Sequence, residues 1–531
     1  MTKKFLFLSV NSSYSHSSLA LPMLHNAAGN IPGWEWQCIE CTTKEDYAEI
    51  AAKAAEMQPD LLGCSLYIFN IVAVLDILSR FHALCPQCVI VTGGPECSGD
   101  AAYQLLENHT FINNVFRGEA EDLFAEYLKK FPDCERGVIP SDGNAVYTDW
   151  MTELPVNDCF FRTGKAFVQM ETSRGCPMGC KYCTSSNIPL RMKELSEVEK
   201  ELEILHSKGV KEIRLLDRTF NFPSWRGAAL LKLFREKFAD IEFHLEIHPQ
   251  FLDDEMKSEL EIAPHLHIEA GIQSFDENVQ RAIGRNSRKE EVVSGIKFLA
   301  SCRNFETHVD LICGLPEQTL ESVLNDAAEL IRLKVDEIQL ETLKILHGTP
   351  LEKESAEHGI IYSPMPPYDV MQTEIFSASE ILYARKLSRV LDLFHNHAAL
   401  REVFRKLELF SGADVRRFLD FMLEQQTDLK QLSDLKKRVI YLVEFLKKYP
   451  SDAAAFEISK VWLAQGYPLT ELPFGEIRRF EGVLPTNLPA ETEALFAHRE
   501  TRFQQLRYKN FVMNFAVNRH FKLNGAAFIW E

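Results

Sequence analysis

Two successive series of short apolar runs, separated by segments of helical periodicity, constrain the fold of this chain more than any other feature. In the first, KFLFLSV, EWQCIEC, LLGCSL, VIVTGG and NNVFRG read as strands, with helix candidates near residues 19–28, 44–57, 71–84, 99–108 and 119–130 between them. A strand that re-enters a sheet after a helix does so in parallel. Five such β/α units over residues 1–131 therefore predict a doubly wound, Rossmann-like parallel sheet of the α/β class. Residues 132–165 collect Pro132, Gly137, Pro140, Gly143, Pro155 and Gly164 with little periodicity and read as a linker.

The second series occupies residues 166–349. FVQMETS, EIRLLD, EFHLEI, LHIEAG, THVDLIC and EIQLETL read as six strands with helices between them, two units short of a full barrel, so an open (β/α)6 barrel is expected. Side chains alternate faces along a strand. His244, Glu246 and His248 then share one face, as do His267, Glu269, Gly271 and Gln273 on the next strand, whereas Thr307 is separated by parity from His308 and Asp310. A polar face repeated on neighbouring strands predicts a cavity. From residue 350 to 531 the pattern changes to long helical stretches such as DLKKRVIYLVEFLKKY, which predict a third, mostly α-helical domain.

A chain of 531 residues is long enough for about three domains without disulfide staples. Its net charge of -18 disfavours general coating of nucleic acid and leaves room only for a local basic surface. The apolar run Phe5–Val10 is too short for a signal segment, and no window approaches a membrane span, so a cytoplasmic protein is expected. Thirteen cysteines in such a chain favour reduced thiols and a metal cluster over a disulfide framework.

Three of those cysteines stand in SRGCPMGCKYCTSS, residues 173–186. Structural zinc and ordinary iron–sulfur clusters take four ligands, so Cys176, Cys180 and Cys183 require a remote fourth ligand or leave a metal position open. A zinc loop is the plainer alternative. The spacing Cys176-x-x-x-Cys180-x-x-Cys183, with Tyr182 before the last thiol, resembles the radical S-adenosylmethionine (SAM) superfamily. LLDRTFNF, IEAGIQSFDENVQRAIGR, VDLICGLPEQT and LKILHGTPL extend that likeness to its cobalamin-binding branch. The resemblance implies a [4Fe-4S] cluster on the three cysteines, SAM chelated at the open iron, and reductive cleavage to a 5'-deoxyadenosyl radical. It further implies an external reductant such as flavodoxin or ferredoxin. Tyr182, Asp217, Glu269, Gln273 and Glu317 are the candidates around SAM, although LLDRTFNF stands where a Gly-Gly-Glu segment is usual.

LLGCSLYIFN and VIVTGGPECSG resemble the cobalamin-binding domain of the same branch, with His16, Ser65, Leu66, Gly93, Gly94, Pro95 and Glu96 as candidate contacts. An Asp-x-His-x-x-Gly pattern would supply an axial histidine tuned by its carboxylate. Around His16 the chain instead reads YSHSSL, with Tyr14 and Leu19 at the flanking positions, so no histidine is expected on cobalt. His16 either touches the corrin or its tail, or is a polar loop residue.

The Cys38/Cys41 and Cys85/Cys88 pairs superficially suggest zinc, but belong to different strands and are expected to be buried thiols. His244, Glu246 and His248 are candidates for proton transfer, with supporting hydrogen bonds as the competing role. The region after the barrel, through LKILHGTPL and SPMPPYDVMQTE, resembles the helical domain known as DUF4080. Residues 498–522 carry six Lys/Arg among aromatics, a composition suited to RNA or an anionic substrate, while a solvated helix face is the ordinary reading. The expected activity is functionalisation of an unactivated carbon, foremost by methyl transfer from methylcobalamin. Anaerobic hydroxylation or ring formation on a small molecule or modified tRNA nucleoside is the rival, and a non-catalytic cobalamin or redox sensor the alternative of another class.

Overall fold

The strand β1 (Lys3–Asn11) is buried along most of its length on both faces, as the centre of a parallel sheet requires. The computed structural model describes residues 2–141, 147–151, 154–186, 188–425, 428–485, 490–518 and 527–530; Gly143 of the linker and residues 519–522 of the basic stretch lie outside them. After β1 come α1 (Ala20–Ala28), β2 (Trp34–Thr42), α2 (Tyr47–Glu56), β3 (Leu61–Ser65), α3 (Ile71–Leu84), β4 (Val89–Gly93), α4 (Ala101–Asn108), β5 (Asn114–Phe116) and α5 (Glu121–Lys130). Leu6, Leu8 and Val10 face a core shared with α2 and α3, whereas Phe5 and Phe7 face one shared with α1 and α5. That alternation makes the sheet doubly wound. A sixth strand, β6 (Gly137–Ile139), pairs in parallel with β5 inside the stretch read as linker. Its apolar run is too short to register as periodicity between Gly and Pro. Strand order is β2-β1-β3-β4-β5-β6, which reverses direction between β1 and β3.

The second series contributes β7 (Val168–Met170), β8 (Ser173–Arg174), β9 (Arg191–Met192), β10 (Glu212–Leu215), β11 (Glu242–Ile247), β12 (Leu266–Gln273), β13 (Phe305–Cys313) and β14 (Glu337–Thr342). The six principal strands run in the order β14-β13-β12-β11-β10-β7, with β7, β10, β11 and β12 parallel to their neighbours. The segment read as one strand, FVQMETS, is two, because the Thr172 and Ser173 N–H groups donate to the Asp217 carboxylate at 2.7 and 3.1 Å instead of continuing along β7.

The chain divides into two compact units, residues 1–307, 312–319 and 342–381, and residues 308–311, 320–341 and 382–531. In the second unit, helices Ala398–Arg405, Gly412–Gln425 and Leu435–Lys448 bring Phe404, Phe418 and Phe445 edge to face at 5.2 and 4.9 Å. Helix Leu320–Leu333 joins this unit, where Asn325 Oδ1 accepts the Gly412 N–H at 3.0 Å. The consecutive helices run to Ala464, and beyond them comes a four-stranded antiparallel sheet, Glu476–Arg479, Arg502–Tyr508, Phe511–Val517 and Ala527–Trp530, with one more helix, Ala490–Ala497, between its first two strands. The 498–522 stretch is thus a hairpin and not a helix over its described part. Phe511, Met513, Phe515 and Val517 recur at a period of two and pack on Phe456 and Leu463. Among the described residues no helix is long and apolar enough to cross a membrane.

Candidate functional site

At the carboxyl ends of the first sheet, β3 and β4 finish on Ser65 and Gly93, and the backbone turns through Gly94 at φ +98°. A methyl group at Gly94 would come within 2.7 Å of the Leu66 carbonyl oxygen, so only glycine permits this approach. The Leu66 N–H donates to the Gly93 carbonyl at 2.7 Å and the Leu66 carbonyl accepts from the Glu96 N–H at 3.2 Å, locking the two turns together. In front of them opens a cavity of about 400 Å³, walled by Ser65, Gly93, Gly94 and Pro95 on one side and by Glu171, Arg174, Gly175, Ser185 and Arg218 on the other. A second cavity of about 380 Å³ adjoins it through Ser65, Tyr67, Leu216 and Arg218 and reaches Val10, Ser12 and His16. It occupies the β1/β3 reversal, where open α/β sheets bind their ligands. His16 lines this second cavity, with Nδ1 2.8 Å from Ser13 Oγ and its ring edge-on to Phe167; burial lowers its pKa. Leu66 and Glu96 line neither. Leu66 is fully buried, and the Glu96 carboxylate accepts from the Tyr368 hydroxyl at 2.7 Å, while burial raises its pKa.

The cysteine loop borders the first cavity through Arg174, Gly175 and Ser185. Two of its sulfurs receive backbone N–H groups: Met178 donates to Cys176 Sγ at 3.5 Å and Ser185 to Cys183 Sγ at 3.4 Å. The three sulfurs are not gathered within 4.8 Å of one another, as the ligands of a single ion would be. Burial raises the Cys180 thiol pKa, and the nearby Arg285 guanidinium opposes that rise. The loop is tied to the segment after β12. Lys181 N–H donates to Ile283 O at 2.9 Å, and a methyl at Gly284, φ +72°, would meet Gly179 O at 2.8 Å. Arg285 is buried, bonds the Gly271 carbonyl on β12 and donates to the Tyr182 hydroxyl at 3.4 Å.

On the polar strand face, β11 and β12 set His244 opposite His267 and Glu246 opposite Glu269. His244 Nε2 lies 2.9 Å from Glu269 Oε2, its ring 4.5 Å from that of His267, and Glu246 is 4.0 Å from Arg218. His248 is not brought to this group. It lies beyond the end of β11, where Pro249 turns the chain; Nδ1 accepts the Gln250 N–H at 3.2 Å and Nε2 meets Ser287 Oγ at 3.3 Å. Burial, with Arg285 nearby, depresses its pKa to about 3. Asp217 is buried and its carboxylate is spent on Thr172 and Ser173, accepting both N–H groups and both hydroxyls. Gln273, at φ +69°, keeps its amide oxygen buried without a partner. Glu317 is exposed in a turn at φ +60°, held by Gln318, whose side-chain oxygen accepts the Gly314 N–H at 2.8 Å.

Three family models match in the order these sites occur: a B12 binding domain over residues 6–128, the radical SAM superfamily over 170–330, and a domain of unknown function, DUF4080, over 356–459. The chain thus carries, in order, the domain matches of a cobalamin-binding radical SAM protein followed by DUF4080. It is 22% identical over 393 residues to an uncharacterised methyltransferase of Pyrococcus horikoshii, covering 66% of this chain and 84% of the relative. It is also 22% identical over 373 residues to the cobalamin-dependent radical SAM methyltransferase TokK of Streptomyces tokunonensis; that match covers 62% of this chain but only 54% of TokK. In fold it is similar to the radical SAM methyltransferase TsrM of Kitasatospora setae, with a TM-score of 0.55 and 17% identity over 68% of this chain and 79% of TsrM. The cobalamin-dependent radical SAM enzyme OxsB aligns at a TM-score of 0.57 and 13% identity over 87% of this chain and 79% of OxsB.

For a cobalamin-binding radical SAM protein the donor set fits an iron–sulfur cluster: three thiols on one loop, two already accepting N–H groups of the kind that tune cluster sulfurs. Gln273 offers a buried unpaired acceptor to a polar cofactor. Sequence reasoning missed Arg285, which stands in the quoted run IEAGIQSFDENVQRAIGR but whose partners lie 14 and 103 positions away. It also missed Arg174, which bonds Glu119, Glu121 and Glu171 at 2.9–3.2 Å and lies over the Trp150 ring at 4.6 Å. Its position in the cysteine motif was the available signal.

Proposed function

We propose that this chain methylates an unactivated carbon in a cobalamin-dependent radical SAM reaction. The observation that carries the reading is the shared wall: the cavity at the Gly93–Pro95 turn is closed on its other side by residues of the cysteine loop, so the two sites adjoin. When bound, a [4Fe-4S] cluster, SAM and cobalamin supply electron transfer, a hydrogen-abstracting radical and a methyl donor. Cys176, Cys180 and Cys183 hold the cluster, and Arg285 fixes their loop by bridging Tyr182 to β12. Gln273 presents its free amide oxygen to SAM. Ser65, Gly93, Gly94 and Pro95 would hold a corrin against the backbone, and His16 would line the adjoining cavity. The His244–Glu269 pair, with Glu246, holds a proton at Nε2 on the polar strand face.

The likeness to named methyltransferases supports methyl transfer over the other chemistries. The test is anaerobic incubation of the reconstituted protein, a flavodoxin or ferredoxin reductant and methyl-labelled SAM with small-molecule and tRNA fractions. Labelled methyl in a product is expected. Oxygen from labelled water in its place would make the enzyme a hydroxylase, loss of hydrogen alone a cyclase, and absence of SAM cleavage a sensor. Nitrogen superhyperfine coupling in the Co(II) electron paramagnetic resonance spectrum would overturn the absence of a histidine ligand.

A further inference from the structure

Outside both cavities, His25 on α1 and Asp158 and Cys159 in the linker bring one ligand atom each within 4.8 Å of one another. They combine an imidazole, a carboxylate and a thiol, donors that suit a first-row divalent ion, zinc above all. His25 Nδ1 is 2.6 Å from Asp158 Oδ2. The other carboxylate oxygen, Oδ1, accepts the Phe160 N–H at 2.8 Å, which aims Oδ2 at the imidazole. The ring itself is clamped edge-on by Trp36 at 4.9 Å and Phe160 at 5.0 Å.

A glycine at position 29 completes the arrangement. Gly29 has an ordinary φ of −67°, so its backbone does not demand glycine. A methyl there would nevertheless lie 2.6 Å from His25 Cδ2 and Nε2. The ring therefore sits with Nε2 against the helix end and Nδ1 turned to Asp158. Cys159 is the one exposed cysteine of the thirteen, a free thiol in a place where packing gives no reason for one.

We propose that His25 Nδ1, Asp158 Oδ2 and Cys159 Sγ bind one zinc ion, with water as the fourth ligand on the exposed side. Zinc holds nitrogen and oxygen at about 2.0–2.2 Å and sulfur at about 2.3 Å, a spacing that small side-chain rotations produce from the present geometry. On binding, the thiol releases its proton to solvent, and the imidazole hydrogen that Asp158 accepts from Nδ1 gives way to one on Nε2, leaving the Nδ1 lone pair to the ion. The ion fastens the linker turn at Pro155–Asn157 to α1, a contact independent of the cluster cysteines.

The test uses the full-length protein with its iron–sulfur cluster reconstituted, incubated with zinc, desalted against a weak chelator and assayed for zinc and iron by mass spectrometry. Wild type is expected to retain one zinc per chain, with one sulfur in the zinc-edge absorption shell. Cys159→Ser and His25→Gln are expected to reduce zinc to background at unchanged iron, and Gly29→Ala, which keeps all three ligands, to weaken retention at least tenfold. Absence of zinc from wild type, equal zinc in the ligand variants, or a shell of sulfur alone would overturn the site.

Discussion

At the residue scale, the structure separates groups that the sequence treats alike. His244 and His248 are four positions apart on the same parity, yet one pairs with Glu269 and the other is buried as a turn cap. The buried histidine has a pH consequence. Its folded pKa, about 3, lies below the unfolded value of 6.5, so the fold favours the neutral ring. The stabilisation is complete above about pH 6.5 and is lost as pH falls from there towards 3. Between pH 7 and pH 5 the wild type should lose about 2 kcal/mol from this group. Thermal denaturation at the two pH values should show a smaller loss in His248→Gln. Asp217 makes a parallel point: its sequence position suggested cofactor contact, whereas its hydrogen bonds join the ends of β7 and β10. The half-buried thiol of Cys38 and the buried thiols of Cys41 and Cys88, pushed up to about 12 chiefly by desolvation, are packing residues of the first sheet.

At the element scale, function rests on loops that rigid strands aim. The Gly94 turn and the cysteine loop both depend on backbone approaches that a single methyl blocks. Gly94→Ala meets a positive φ and a carbonyl contact at once, a strain of about 1–3 kcal/mol before any clash. We expect it to lower corrin retention at least tenfold with bound iron unchanged, read by corrin absorbance and iron assay. Gly284→Ala should do the reverse, because its methyl strikes the loop between Cys176 and Cys180. Iron per chain after reconstitution should fall while corrin retention is kept. The β11–β12 pairing, legible as alternation in EFHLEI and LHIEAG, delivers the expected polar face in register.

At the scale of the molecule, the first sheet and strands β7 to β12 share one compact unit, and a charged seam joins them. Arg174 and Arg191 meet Glu119, whose carboxylate also accepts the Thr148 N–H at 2.8 Å; Arg174 further neutralises Glu121 and Glu171. Burial raises the Glu171 pKa and Arg174 opposes it. Removing that guanidinium leaves part-buried carboxylates without their cation, at a cost of about 3–5 kcal/mol. Arg174→Ala should therefore lower the thermal midpoint and speed proteolysis within residues 132–165, both measurable on the intact protein.

The sequence by itself determined the two α/β series, the parallel sheets and the three-cysteine loop, because strand period, helix period and ligand spacing are local and survive in a single run of residues. It did not reveal β6, the C-terminal antiparallel sheet, the bridging role of Arg285 or the shared wall of the cavity. Those arise where groups tens or hundreds of positions apart meet, such as Arg285 with Tyr182 or Glu96 with Tyr368, and only the folded chain fixes which buried polar atom satisfies which.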